Sequence, residues 1–103
     1  MFNKILVVCT GNICRSPLGE ALLKTALPGK TVLSAGTSAM IGWGAFEETV
    51  AVATPRGVDL STHRAQQLTQ PLLVAADLVL TMDQSHNDWI NRQYPQFRGK
   101  VHK

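Results

Sequence analysis

Cysteine is scarce in this 103-residue chain: Cys9 and Cys14, five positions apart, are the only two. That excludes a disulfide-built scaffold and fits a reduced, cytoplasmic protein. Long apolar runs are missing as well. Ile5-Leu6-Val7-Val8 falls far short of the roughly 20 residues that cross a bilayer, so no membrane span is expected. Met1-Phe2-Asn3-Lys4 enters that run with no cleavage-site pattern, which argues against a signal peptide. A broad basic face is lacking too. Residues 92–103 carry Arg92, Arg98, Lys100 and Lys103 with no acid, whereas the six other basic residues meet all seven acids earlier in the chain. The net charge of +3 is therefore a property of one end, and nucleic acid is not an expected partner. Hydrophobic residues at 45% and charged residues at 17% describe a globular chain, and its length suits a single domain over 1–103.

Lys4-Ile5-Leu6-Val7-Val8 is β-branched and continuously apolar, the pattern of a strand buried on both faces of a parallel sheet. Ser16-Pro17 follows as an N-cap and a first-turn proline. Leu18, Ala21, Leu22 and Thr25 then recur at helical spacing until Leu27-Pro28-Gly29. Thr31-Val32-Leu33-Ser34 reads as a second strand, and residues 36–45, with Gly36, Gly42 and Gly44, as a loop. A helix from Phe46 to Thr54 is perturbed by Pro55 and closed by Gly57. Thr69 can cap a short helix, Leu78-Val79-Leu80 is a third strand, and Asp83 can cap a helix running to Gln93. Val101 begins a fourth strand. The alternation implies an α/β fold with a parallel sheet.

The loop between the first strand and the first helix is Cys9-Thr10-Gly11-Asn12-Ile13-Cys14-Arg15-Ser16, a C-x5-R-S pattern. A strand-to-helix loop presents free backbone N–H groups at a helix N-terminus, where the dipole favours an anion. Gly11 allows tight curvature, and successive amides can form a nest for phosphate oxygens. The same field would lower the pKa of Cys9 and make it a thiolate nucleophile. Arg15 offers a planar fork for two phosphoryl oxygens. The bland alternative is a buried apolar cysteine before an ordinary helix cap. A Walker loop is excluded because no G-x-x-x-x-G-K-[ST] occurs, and Gly42-Trp43-Gly44 lacks the third glycine of a dinucleotide fingerprint.

Val8-Cys9-Thr10-Gly11-Asn12-Ile13-Cys14-Arg15-Ser16-Pro17 closely resembles the signature of the low-molecular-weight protein tyrosine phosphatases. The resemblance continues through Ser34-Ala35-Gly36, His63-Arg64-Ala65-Gln66-Gln67-Leu68, Asp77 to Asp83 and Arg98-Gly99-Lys100-Val101. It is greatest for the bacterial members paired with tyrosine autokinases that control capsule or exopolysaccharide export. It implies a three-layer fold with a short parallel sheet in order 2-1-3-4, its fourth strand incomplete here. Cys9 and Arg15 would be catalytic, through a phosphocysteine intermediate and without cofactor or metal. Thr10, Gly11, Asn12, Ile13, Cys14 and Ser16 would form the phosphate loop. Asn12 would hold a left-handed backbone and Ser16 would bond the thiolate. Ser34 and His63 would support the loop, although His63 also reads as an ordinary hydrogen-bonded histidine. Ile13 stands where arginine phosphatases of this fold resemble the motif with threonine, so an aryl phosphate is favoured. Met40, Ile41 and Trp43 would wall the substrate cleft, with mere core coverage the alternative for Trp43. Cys14 has two readings: a protective disulfide with Cys9, or packing at the helix entrance.

Thiol-dependent arsenate reductases share this fold and a similar loop, but they use cysteines downstream of Cys14, and here there are none. Cys9, Cys14, His63, His86 and His102 lack the spacing of a metal site. One part of the family pattern fails. The general acid is an aspartate in an Asp-Pro motif, and none of Asp59, Asp77, Asp83 and Asp88 precedes proline. Asp83 aligns with a structural acid instead. The expectation is therefore a shortened phosphatase domain that binds phosphate or phosphotyrosine, hydrolyses phenolic esters slowly and pairs with itself by self-association or strand exchange. A catalytically weak phosphate-binding module is the rival reading.

Overall fold

The computed structural model describes residues 3–103; Met1 and Phe2, part of the signal-peptide reading, lie outside them. Four strands, β1 (Lys4–Cys9), β2 (Thr31–Gly36), β3 (Leu78–Thr81) and β4 (Val101–His102), form one parallel sheet in the order β2-β1-β3-β4. The helices are α1 (Arg15–Ala26), α2 (Glu47–Ala53), α3 (Gln70–Ala75) and α4 (Gln84–Gln93). The sheet order, the strand-helix alternation and the two-residue fourth strand agree with the sequence reading.

β1 is buried on both faces because its side chains alternate. Leu6 and Val8 pack with Leu68, Leu73, Val79, Ile90 and Val101, so α3 and α4 cover that face. Ile5 and Val7 pack with Val32 and Leu23 on the other, where α1 lies. The inward stripe of α1 differs from the predicted one. Leu22 is exposed, and the helix approaches the sheet through Leu23 and Gly19, where an added Cβ would stand 3.3 Å from Val7 Cγ1. A missing side chain at Gly19 thus sets how closely α1 docks, and apolar periodicity does not see it.

Three element ends have identifiable causes. The Asp77 carboxylate accepts the Asn3 and Lys4 amides at 2.9 Å each, fixing the start of β1 beside β3. Gly57, at φ 74°, closes the turn after α2 as expected. Lys100 Nζ donates to the Ala76 carbonyl at 2.6 Å and lies over the Phe97 ring, so it satisfies the end of α3. Thr69 does occupy the N-cap of α3, but its side chain makes no capping bond.

Candidate active site

The register places Cys9, the last residue of β1, opposite Gly36, the last residue of β2. From there the loop turns into α1, whose N-cap is Cys14 and not Ser16. Ser16 lies one residue inside the helix, fully buried, and its hydroxyl is directed to Cys9 Sγ at 2.8 Å. The serine that reads as a cap is used on the Cys9 sulfur instead.

Five consecutive carbonyls of the loop are engaged from outside. Those of Cys9, Thr10, Gly11 and Ile13 accept the amides of Thr37, Ser38, Met40 and Phe46 at 3.0, 2.9, 2.9 and 2.6 Å. The Asn12 carbonyl accepts His63 Nε2–H at 2.6 Å. With its carbonyls turned outward, the loop presents its amides to the inside of the arc, and Asn12 N–H lies 3.3 Å from Cys9 Sγ. The N-terminus of α1 adds its free N–H groups on the same side. This is an anion cradle closed around a sulfur.

Curvature is supplied by Asn12, at φ 59°, and not by Gly11. A Cβ on Gly11 would make only ordinary contact with Ile13 and Met40 at 3.4 and 3.6 Å. Asn12 is fully buried and saturated: Nδ2 donates to Ser16 Oγ at 2.8 Å and Ser34 Oγ at 2.9 Å, and Oδ1 accepts Gln66 N–H at 2.9 Å. Ser34 in turn donates to Glu20 Oε1 at 2.5 Å, and Glu20 is paired with Lys24. These bonds fix proton positions. Both Asn12 amide hydrogens point outward, so Ser16 accepts from Asn12 and its one hydroxyl hydrogen is free for Cys9 Sγ.

Arg15 lies at the rim, 58% exposed, with one Nη 3.1 Å from Asp83 Oδ2. Asp83 caps α4 through Ser85, and His86 returns the bond to the Asp83 amide. The Ser85 hydroxyl first, and then Arg15, hold the Asp83 carboxyl well below the usual carboxylate range. The Asp83 carboxylate thus joins Arg15 to the first turn of α4. His86 is buried, with Nε2 3.0 Å from Thr10 Oγ1. Burial, chiefly, moves its pKa down from 6.5.

Met40, Ile41 and Trp43 are exposed at 38, 69 and 55% beside the loop, so Trp43 does not cover the core. Both thiols are free, Cys9 buried and Cys14 exposed. Several contributors escaped the sequence reading as site residues: Glu20, Gln66, Gln67, His86 and, as a spatial requirement, Gly36. An added Cβ at Gly36 would stand 2.3 Å from the Thr10 carbonyl oxygen, so β2 can pass behind the loop only without a side chain. Gln67 pins the adjoining segment through the Ala39 amide and the Thr37 carbonyl. A cleft of about 290 Å³ behind the site includes Glu20, Ser34 and His63, but neither Cys9 nor Arg15.

A parallel sheet with a C-x5-R-S loop at the carboxyl end of its central strand defines a cysteine-dependent phosphatase. The family model described as low molecular weight phosphotyrosine protein phosphatase matches residues 4–103. AmsI of Erwinia amylovora, named a probable low molecular weight protein-tyrosine-phosphatase, is 52% identical over 101 residues, covering 98% of this chain and 70% of that protein. The structure of Vibrio vulnificus Wzb in complex with benzylphosphonate superposes with a TM-score of 0.95 at 45% identity, covering 99% of this chain and 73% of the other. The YwlE arginine phosphatase of Geobacillus stearothermophilus gives 0.90 at 39% identity, covering 96% and 64%. The chain belongs to the low molecular weight phosphotyrosine protein phosphatase family.

Proposed function

We propose that the chain hydrolyses phosphotyrosine through a phosphocysteine intermediate on Cys9. The observation that carries this reading is the outward engagement of every carbonyl from Cys9 to Ile13, which leaves the amides for phosphoryl oxygens beside Sγ. Sγ attacks phosphorus in line with the aryl oxygen. The S–P bond forms as the P–O bond breaks, and the phenolate departs with the bonding pair. Arg15 binds two equatorial oxygens. Ser16 donates to sulfur and eases its departure when water attacks phosphorus, the S–P bond breaks and inorganic phosphate leaves. Thr10, Gly11, Ile13 and Cys14 supply loop backbone, while Asn12, Ser34 and His63 hold its shape.

Substrate choice rests on the walls and not on the fold, since an arginine phosphatase shares the architecture. Ile13, Met40 and Trp43 offer apolar surface suited to a phenyl ring, and a Vibrio relative has been seen with benzylphosphonate. The partner in this reading is a phosphotyrosine protein in the cytoplasm, an autophosphorylated tyrosine kinase of exopolysaccharide export, and no cofactor takes part.

Assayed as these 103 residues alone, in which no aspartate precedes proline, the site would leave the phenolate to draw its proton from water, at a cost on the order of 10²–10⁴ in rate. Turnover should therefore depend steeply on leaving-group acidity: nitrophenyl phosphate is cleaved readily and phenyl phosphate on the order of 10²-fold or more slowly. Near-equal rates would contradict the missing acid. The second reading is a phosphate-binding module with negligible chemistry. It requires phosphate release to be indifferent to Cys9→Ser, whereas the enzyme requires it to vanish.

A further inference from the structure

We propose that His86 is a positioning residue for the phosphate loop, tying Thr10 and the Arg15–Asp83 pair to a single buried imidazole. The proposal rests on the reading of residues 9–16 as an anion-binding loop. His86 Nδ1 lies 3.2 Å from the Asp83 amide, which can only donate, so Nδ1 is the acceptor and the ring proton is on Nε2. Nε2–H is then the donor to Thr10 Oγ1, 3.0 Å away. Two elements distant in sequence meet through one ring: the N-terminus of α4 at one nitrogen and the residue after the nucleophile at the other.

The geometry has a consequence at each end. Thr10 Oγ1, accepting from His86, keeps its own hydrogen free to rotate toward an anion in the loop. At the other end, the Asp83 amide held by Nδ1 fixes the carboxylate that holds one Nη of Arg15 at 3.1 Å. The rest of the guanidinium fork remains for ligand oxygens. Asp83, whose Oδ1 is 3.7 Å from Nδ1, and Arg15 are the charged groups facing the ring, one from α4 and the other from α1. A second proton on Nδ1 would turn an acceptor into a donor facing the Asp83 amide, which breaks the link. Only the neutral Nε2–H ring serves both neighbours.

Sulfate binding is the test, because sulfate keeps its charge across the working pH range and needs no catalysis. The variants are Thr10→Val, which preserves shape at an exposed residue, His86→Asn, which keeps an acceptor near Nδ1 but cannot reach Thr10, and the double variant. At pH 7.5, each single variant should weaken sulfate binding about 3- to 10-fold, the range for one lost hydrogen bond. The double variant should be no weaker than the weaker single one. A merely structural role would lower the melting temperature while leaving the sulfate affinity of the folded protein unchanged. Unchanged affinity in both single variants, or fully additive losses, would overturn the proposal. Should His86→Asn not fold, Thr10→Val alone decides by the same criterion. The imidazole nitrogen spectrum of the wild type supplies an independent check, with an Nδ1–H tautomer contradicting the assignment. Failure of the wild-type protein to bind sulfate, with Arg15→Ala no different, would instead refute the loop reading itself.

Discussion

Asn12 concentrates two kinds of free energy in one buried side chain: a left-handed backbone at φ 59° and hydrogen bonds from both ends of its amide. They can be separated by substitution. Asn12→Gly removes the bonds but tolerates the backbone, whereas Asn12→Ala removes the bonds and adds a left-handed penalty of about 1 kcal/mol or more. Denaturant unfolding should show both variants destabilised by about 2–4 kcal/mol, with alanine worse than glycine by about that penalty. Equal losses would mean that the backbone is not strained. Gly36→Ala tests steric need in the same loop. Its Cβ would meet the Thr10 carbonyl, so the loop must move, and phosphate affinity should fall by at least about tenfold. Unaltered affinity would show that β2 can yield instead.

At the scale of elements, the N-terminus of α4 is where acid should act. His86 is neutral in the folded protein, its pKa moved below 6.5. The unfolded chain therefore takes up the proton first as pH falls, and stability should decline from about pH 6.5 downward until the folded ring also titrates. Asp83 has a dependence of the same sign, in a more acidic window. Its depressed pKa contributes stability that is complete above the ordinary carboxylate range and lost only at stronger acidity. Melting curves between pH 7.5 and 5.5 should thus fall more steeply for the wild type than for His86→Asn. Parallel curves would remove His86 as the cause.

These two residues also show what the sequence can convey about elements. Asp83 was readable as a cap because capping is local, three residues of one turn. The bond from His86 to Thr10 spans 76 positions, and no periodicity reports it. The same division runs through the site. The C-x5-R-S spacing and the strand-helix alternation are local patterns, and they pointed to Cys9, Arg15 and a parallel α/β sheet, whereas the strand order came only with the family resemblance. Ser16 failed as a cap because tertiary demand at Cys9 outweighed a helix-end preference. Gly19 and Gly36 matter through what they lack, so their meaning appears only when the neighbouring element is in place.

At the largest scale, among the described residues, the sheet is edged by β2 on one side and by the two-residue β4 on the other. β4 pairs with β3 alone, and Leu78, Leu80 and Met82 on the adjoining face are only partly buried. Unpaired strand edges and apolar surface recruit further chains. Light scattering should accordingly show dimers or larger species growing with concentration, and a monodisperse monomer at all concentrations would contradict this. The central claim is chemical, that the cradle serves sulfur attack on an aryl phosphate. Its most direct measurement is rapid acid quench of the protein during turnover of a phosphorus-labelled aryl phosphate, followed by peptide mapping. The account requires labelled phosphate on the peptide bearing Cys9, absent from Cys9→Ser; turnover undiminished in Cys9→Ser, with no labelled peptide in the wild type, would contradict it.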